Sequence, residues 1–137
     1  MDAKVIWKES MSFEGIADSG FKVPLGTSPA VGGDNDGFRP MELIAIGLAG
    51  CTAMDVVSIL QKKRQELHNF EVWVHAENSN KHPKVFTHLL IEYVISGKGI
   101  SREAVERAVE LSETKYCPAQ AMFKKVAQME LKITILE

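Results

Sequence analysis

The sequence predicts an α+β fold, in which helices gather on a largely antiparallel sheet within a single domain over residues 1–137. Three observations support this prediction. An almost unbroken apolar run between Pro40 and Leu60 has the length of a long buried helix. Apolar and polar residues alternate over residues 67–77 and 85–96, as is typical of half-buried strands. The order of predicted elements is strands, long helix, hairpin, two helices and a last strand.

The N-terminal region is predicted to form short strands followed by a loop. Strands are expected over residues 4–10, 11–17 and 21–23, and Pro24 is expected to end the third of them. Residues 26–37 are rich in glycine and aspartate and show no apolar periodicity. We therefore expect a long loop, a feature that is often functional in a small domain.

The central helix carries clear signals at both ends. Pro40 suits a first helical turn, Glu42 adds the negative charge favoured there, and residues 62–64 supply positive charge at the other end. Gly47 and Gly50 are unfavourable inside a helix, which suggests that a neighbour packs closely against them. A chain of this length has trouble covering such a helix on all sides. The sequence alone therefore favours a homodimer in which two copies of the helix cover each other.

The second half of the chain begins with the predicted antiparallel hairpin of residues 67–77 and 85–96. His75 and His88 could face each other across this hairpin, although four irregularly spaced histidines and two distant cysteines form no recognisable metal-binding pattern. No metal or other cofactor is predicted. The remaining elements are a helix over residues 102–115 capped by Ser101, a short helix over 119–126 and a strand over 129–136.

Charge and hydropathy narrow the possible partners and locations. The net charge of −2 gives no reason to expect binding to nucleic acid. The apolar run is long enough to cross a membrane, but Glu42 and Asp55 would be costly in lipid, so we expect protein to cover it. The first residues lack the layout of a signal peptide, which makes the cytoplasm the default location. Cysteines in that compartment are more often free or redox-active than paired in structural disulfides.

Cys51 and Cys117 are the candidate reactive groups. Cys51 lies near the middle of the long helix, where it would need a separate positive partner to become reactive, and it could instead be a small core residue. Cys117 precedes Pro118 and is expected at a helix N-terminus, whose free N–H groups stabilise a thiolate. From the residues alone, Cys117 is predicted to have the lower pKa.

Two segments resemble the motifs of the OsmC/Ohr family. PMELIAIGLAGCTAMDVVSIL is similar to the family signature Pro-x-Glu-Leu-Leu-x-Ala-x-x-x-Ala-Cys, and KYCPAQAM is similar to a second motif in which Cys-Pro follows the second helix. The resemblance covers nearly the whole chain and is closest to the less characterised branch. It implies an intertwined homodimer, with antiparallel sheets wrapped around two long central helices and active sites at the interface.

The resemblance also implies a chemistry. As a thiolate, Cys51 would attack an organic hydroperoxide and become a sulfenic acid, which Cys117 would convert to a disulfide. A dithiol reductant would then restore both thiols, and no cofactor is needed. This assignment reverses the preference for Cys117 that the residues alone suggest.

The chain departs from the family's hydroperoxide-resistance members at two points. Those members have a Glu ten residues before the first cysteine, where this chain has Met41, and an Arg in the N-terminal hairpin that residues 12–15 lack. Arg39 and Glu42 could form a surrogate pair beside the thiol, or an ordinary surface ion pair. The alternative function is therefore a protein that binds a small apolar or electrophilic ligand with little turnover.

Overall fold

The computed structural model describes residues 1–136, which divide after Ile44 into two compact units. It confirms the α+β class. The elements in chain order are β1 (Ala3–Glu9), β2 (Ser12–Ala17), β3 (Lys22–Leu25), a 3-10 turn (Pro29–Val31), α1 (Pro40–Lys62), β4 (Glu66–Asn78), β5 (Phe86–Lys98), α2 (Arg102–Leu111), a π-helical turn (Ser112–Tyr116), α3 (Pro118–Phe123) and β6 (Gln128–Leu136).

The first unit is a three-stranded antiparallel sheet followed by a loop. The strands pair in the order β1-β2-β3. Pro24 was expected to end β3, and this was wrong because Pro24 lies inside the strand opposite Glu14. Proline is tolerated at a sheet edge, where its missing N–H breaks no ladder. The loop after β3 returns to this edge, since the Phe38 N–H donates to the Pro24 carbonyl at 2.9 Å.

The second unit begins at Ala45 and contains the sheet β4-β5-β6. Strands β4 and β5 form the predicted antiparallel hairpin, but β6 pairs with β5 in parallel. The pairing is thus largely antiparallel, as predicted, and β6 runs parallel to β5 because α2 and α3 carry the chain back across the unit before β6 begins. A crossover of this kind is the connection that parallel strands need.

The core of the second unit joins one stripe of α1 to one face of β5. On α1 the buried positions recur every four residues, and on β5 every two residues, as the two periodicities require. These side chains are Leu48, Thr52, Val56 and Leu60 on α1, and Leu89, Ile91, Tyr93 and Ile95 on β5. Burying each large apolar side chain contributes about 1.5–3 kcal/mol. The same pattern therefore fixes which side of α1 faces inward.

The opposite side of α1 is open. Ile46 is 51% exposed and Met54 is 77% exposed. A Cβ atom built on Gly47 or Gly50 would meet nothing within 4 Å, so the close-packed neighbour expected from these glycines is not found within residues 1–136. The length and composition of α1 would also allow it to cross a membrane. A single helix of this kind is weak evidence for a membrane-spanning segment.

The region after β5 is less regular than predicted. Ser101 caps α2 as expected, because its side chain accepts the Ala104 N–H at 3.2 Å. The helix expected over residues 102–115 ends at Leu111, however, and continues as the π-helical turn Ser112–Tyr116. Turns of this type are rare and occur frequently at functional sites. This one leads directly into Cys117.

Candidate functional site

Cys51 lies halfway along α1, at the border between the buried stripe and the open side of the helix. Its thiol is half-buried and free. Thr52, the next residue, belongs to the buried stripe, whereas Met54 is on the open side. The helix thus places the Cys51 sulfur where it can contact the core and still be reached from outside the chain.

Cys117 is the N-cap of α3, as the Cys-Pro sequence predicted. Pro118 occupies the first helical turn, and the Cys117 sulfur accepts the Gln120 N–H at 3.4 Å. The Cys117 N–H donates to the Ser112 carbonyl at 2.9 Å, which ties the cap to the start of the π-helical turn. Only 3% of the residue is exposed. Hydrogen bonds therefore hold Cys117 on both sides, toward the π-helical turn and toward α3.

The two thiols are neighbours. The Cys51 side chain lies close enough to Cys117 to contribute to the raised pKa of the Cys117 thiol, and both residues are free cysteines. The pKa of Cys117 is raised to about 11, mainly by burial, with a smaller contribution from the neighbouring Cys51 thiol, while the Gln120 N–H opposes the shift. The expectation that Cys117 has the lowered pKa was wrong, because the cost of burying a thiolate exceeds what the N–H groups of a six-residue helix provide.

A buried cluster of polar side chains lies beside the thiols. The Thr52 Oγ1 atom is 2.8 Å from Tyr93 Oη, 2.7 Å from Ser112 Oγ and 3.1 Å from Gln120 Nε2. Ser112 Oγ donates to Asp55 Oδ2 at 2.9 Å. We call Thr52, Asp55, Tyr93, Ser112 and Gln120 the hydroxyl cluster. Its atoms link α1, β5, the π-helical turn and α3.

The donors of the hydroxyl cluster can be assigned from one end. A carboxylate only accepts hydrogen bonds, so the one O–H group of Ser112 must donate to Asp55. Thr52 must then donate to Ser112, and its two lone pairs accept from Tyr93 and from the Gln120 amide. Every bonding position of the Thr52 hydroxyl is filled. The Gln120 Oε1 atom, in contrast, is buried and has no partner among the described residues.

Tyr93 shows how dry this cluster is. Its side chain is fully buried on β5, and burial raises the pKa of the phenol to about 12. The charge of the nearby Cys117 adds to the shift, while the hydrogen bond with Thr52 opposes it. The hydroxyl cluster and the Cys117 thiol are therefore parts of one desolvated region.

Sequence reasoning missed the hydroxyl cluster. Its members are scattered over the chain, from Thr52 to Gln120, and no spacing rule connects them. One signal was present, since Thr52 and Asp55 are polar residues inside an apolar helical run. Their three-residue spacing places them on the same side of a helix, which marks a polar contact within the core.

Arg39 and Glu42 lie at the start of α1, in the first unit. Arg39 is the residue before the helix, and Glu42 Oε1 accepts its backbone N–H at 2.8 Å. The Arg39 guanidinium donates to the Gly37 carbonyl at 3.0 Å and to Asn35 Oδ1. The ion pair expected between the two side chains is therefore replaced by a helix-capping contact and a loop contact. Their predicted role beside the thiol stays a prediction.

The histidines of the hairpin do not form the arrangement considered from the sequence. His75 is opposite Leu90, and His88 is opposite Glu77, so the two rings are not paired across the strands. His75 instead contacts Glu92 at 3.1 Å. Within residues 1–136 no three potential ligands lie close enough together to hold a metal ion.

The first unit has an apolar cleft of its own. It has a volume of about 520 Å³. Aliphatic, aromatic and methionine side chains form most of its wall, including Val5, Met11, Phe13, Leu25 and Val31. Such a lining suits a small apolar molecule.

Comparison with known proteins agrees with the fold. The OsmC-like protein family matches residues 33–132. Protein YhfA of Escherichia coli is 36% identical over 132 residues, covering 94% of this chain and 93% of that protein.

Two solved structures illustrate the range of similarity. An OsmC-like protein from Mycoplasma pneumoniae has a TM-score of 0.82 at 16% identity, covering 99% of this chain and 96% of that one. The organic hydroperoxide resistance protein OhrB of Bacillus subtilis has a TM-score of 0.63 at 19% identity, covering 98% of both chains. At these identities the structures establish the shared fold. The family match and the similarity to YhfA together show that the chain belongs to the OsmC-like family.

Proposed function

We propose that this protein is a thiol peroxidase that reduces organic hydroperoxides, with Cys51 as the peroxidatic cysteine and Cys117 as the resolving cysteine. The proximity of the two free thiols is the observation that carries the proposal. Their unequal exposure supports the division of roles. The half-buried Cys51 can meet a peroxide, whereas the buried Cys117 can meet only a group already within the site.

The reaction balances with these two residues. The Cys51 thiolate attacks the terminal oxygen of the hydroperoxide, the O–O bond breaks, and the alkoxide takes a proton to leave as an alcohol. Cys51 is then a sulfenic acid. Cys117 loses its proton and attacks that sulfur, forming the disulfide while the hydroxyl leaves as water. In total, two thiols and one hydroperoxide give one disulfide, one alcohol and one water.

The substrate supplies the two oxidising equivalents, so the cycle needs a reductant and no resident cofactor. We propose a dithiol for this role, because a second thiol in the same molecule displaces the mixed disulfide rapidly. In this proposal Arg39 and Glu42 fix the start of α1. Their role near the Cys51 thiol stays a prediction. The cytoplasm, where disulfides are kept reduced, suits this cycle.

We further propose that the working form is a homodimer. The open side of α1 presents Ile46 and Met54 beside Gly47 and Gly50, with no covering group within the described residues. A second copy would cover this apolar surface, and the glycines would allow the two helices to approach closely. Met54→Arg should convert a dimer to monomers in sedimentation equilibrium. A variant that stays dimeric at wild-type affinity would exclude this helix face from the interface.

A single experiment tests the proposed reaction. Reduced protein is mixed with one equivalent of cumene hydroperoxide, and the remaining thiols and peroxide are titrated together. We expect both thiols of each chain to disappear as one peroxide is consumed, with a Cys51–Cys117 disulfide identified by peptide mass spectrometry. Persistence of both thiols with unconsumed peroxide would refute the peroxidase.

The apolar cleft of the first unit supports a second candidate, the binding of a small apolar ligand with little turnover. The absence of any arginine before Arg39 in the sequence favours it, because the hairpin then lacks the guanidinium that would stabilise a thiolate in the family's hydroperoxide-resistance members. An apolar fluorescent probe such as 8-anilinonaphthalene sulfonate should bind saturably. Binding should survive Cys117→Ser and weaken with Phe13→Asp.

A further inference from the structure

We propose that Thr52 is a positioning residue for disulfide formation, because its hydroxyl holds the segment that carries Cys117 at both ends and keeps the Cys117 sulfur against Cys51. The inference rests on the proposed function in one respect, the formation of a Cys51–Cys117 disulfide. It assigns no contact between Thr52 and the substrate.

The geometry of the segment supports this role. Ser112 lies five residues before Cys117 and Gln120 lies three residues after it. Both side chains bond the same Thr52 Oγ1 atom, at 2.7 and 3.1 Å. Thr52 is also the residue next to Cys51 on α1. One oxygen therefore fixes both flanks of Cys117 relative to the other cysteine.

The segment needs such a clamp because its backbone is irregular. Residues Ser112–Tyr116 form a π-helical turn, and the six-residue helix α3 follows immediately. Elements this short are marginal without tertiary contacts. Forming a disulfide requires the sulfurs to approach to about 2.05 Å with a restricted dihedral angle. Restricting the segment in advance raises the effective concentration of one thiol at the other.

Burial makes the clamp effective. Thr52, Ser112 and Gln120 are each fully buried, so water does not compete for their hydrogen bonds. Asp55 sets the direction of these hydrogen bonds. Its carboxylate accepts a hydrogen bond from the Ser112 hydroxyl, so the Ser112 oxygen is left to accept from Thr52. Losing the Thr52 hydroxyl would leave the Tyr93 hydroxyl and the Gln120 amide without this partner in a dry region, which favours rearrangement of the segment.

The test compares Thr52→Val, which keeps the shape and removes the hydroxyl, with Thr52→Ser, which keeps the hydroxyl. Each folded variant is equilibrated in mixtures of reduced and oxidised dithiothreitol, and its disulfide fraction is measured by mass. We expect Thr52→Val to lower the equilibrium constant for the Cys51–Cys117 disulfide by about tenfold, equivalent to about 1.4 kcal/mol. Thr52→Ser should restore most of it. Thr134→Val, a half-buried threonine on β6, is the matched control and should have no effect.

A kinetic measurement separates positioning from a general loss of structure. With cumene hydroperoxide and dimedone present, Thr52→Val should form the Cys51 sulfenic acid at nearly the wild-type rate. The trapped sulfenic acid should increase because Cys117 reaches it more slowly. A variant whose structure is generally disturbed would also form the Cys51 sulfenic acid more slowly. If Thr52→Val fails to fold by circular dichroism, Ser112→Ala carries the same test, since it removes one flank of the clamp and leaves α1 intact.

The outcomes distinguish this inference from the peroxidase proposal. Diamide can take the two hydrogens from the thiols and oxidise the pair without any peroxide. A disulfide formed with diamide, in a protein that does not consume hydroperoxide, would refute the peroxidase while the Thr52 comparison still applies. Wild-type disulfide stability in folded Thr52→Val, or no Cys51–Cys117 disulfide with diamide, would overturn the role of Thr52.

Discussion

Cys51 and Cys117 are neighbouring thiols in opposite surroundings. Cys51 lies in the middle of a long helix, far from the N-terminus of that helix, and is half-buried. Cys117 lies at a helix N-terminus, accepts a backbone N–H and is almost fully buried. A position favourable to a thiolate did not lower the pKa of Cys117, since burial raises it to about 11. In the proposed reaction, solvent exposure would decide which thiol reacts first, and helix position would decide which one is held in place.

The comparison predicts a large difference between two serine variants. Cys51→Ser should lower hydroperoxide consumption by at least about 1,000-fold, because it removes the nucleophile of the covalent route. Cys117→Ser should still consume one peroxide per chain and then stop at a sulfenic acid, which dimedone traps and mass spectrometry detects. Equal loss in both variants at the first turnover would mean that Cys117 also takes part in the attack on the peroxide.

Raised pKa values in the desolvated region should make the protein less stable at high pH. In the unfolded chain Cys117 releases its proton near the ordinary value of 9.0, whereas the folded protein retains it until about pH 11. The native state then binds more protons than the unfolded state, so the free energy of unfolding falls as pH rises through this window. The full shift corresponds to a loss of up to about 2.7 kcal/mol.

Urea denaturation of the reduced protein at pH 8 and at pH 11 measures this loss. Cys117→Ala should flatten the pH dependence between pH 9 and 11. Tyr93→Phe should flatten only the part above pH 10, because Tyr93 has its pKa raised from 10.0 to about 12. A wild-type free energy of unfolding that stays constant from pH 8 to pH 11 would contradict the burial argument for both groups.

The parts of the fold that the sequence predicted are those set by local periodicity. The two-residue spacing from Leu89 to Ile95 identified the buried face of β5, whereas α1 is apolar on all sides in the sequence and showed no such face. The direction of β6 has no such signal. Its parallel pairing depends on where α2 and α3 place the start of β6, which is a property of tertiary packing. The prediction that Pro24 ends β3 failed for a related reason. At a sheet edge the missing N–H of proline breaks no hydrogen bond, and this edge position becomes visible only when the sheet is assembled.

The candidate site divides in the same way. Cys51 and Cys117 were identified from the residues and the family motifs, and the N-cap position of Cys117 followed from Pro118. The raised pKa of Cys117 was not foreseen because desolvation depends on what surrounds a group in space. The hydroxyl cluster was missed for the same reason, since its contacts join residues between 41 and 68 positions apart.

The smallest effect is expected at the start of α1. The polar groups of Arg39 and Glu42 already bond Gly37, Asn35 and the Arg39 backbone. We therefore expect Arg39→Met and Glu42→Gln to lower hydroperoxide consumption by less than about tenfold, a change below about 1.4 kcal/mol in barrier height. Glu42→Ala should in addition destabilise the protein by about 1 kcal/mol, because an N–H at the helix start loses its partner.

Matched variants decide whether these residues act on the thiol. Arg39→Lys keeps the positive charge but cannot reproduce the two contacts of the guanidinium, and Glu42→Gln keeps an oxygen for the Arg39 N–H while removing the charge. If the two residues only shape the helix start, activity should follow unfolding free energy across all four variants. A loss of 100-fold or more in Arg39→Met at unchanged stability, rescued in part by Arg39→Lys, would instead show that the charge acts on the Cys51 thiolate. The unequal roles of the two cysteines would then depend on a cation as well as on exposure.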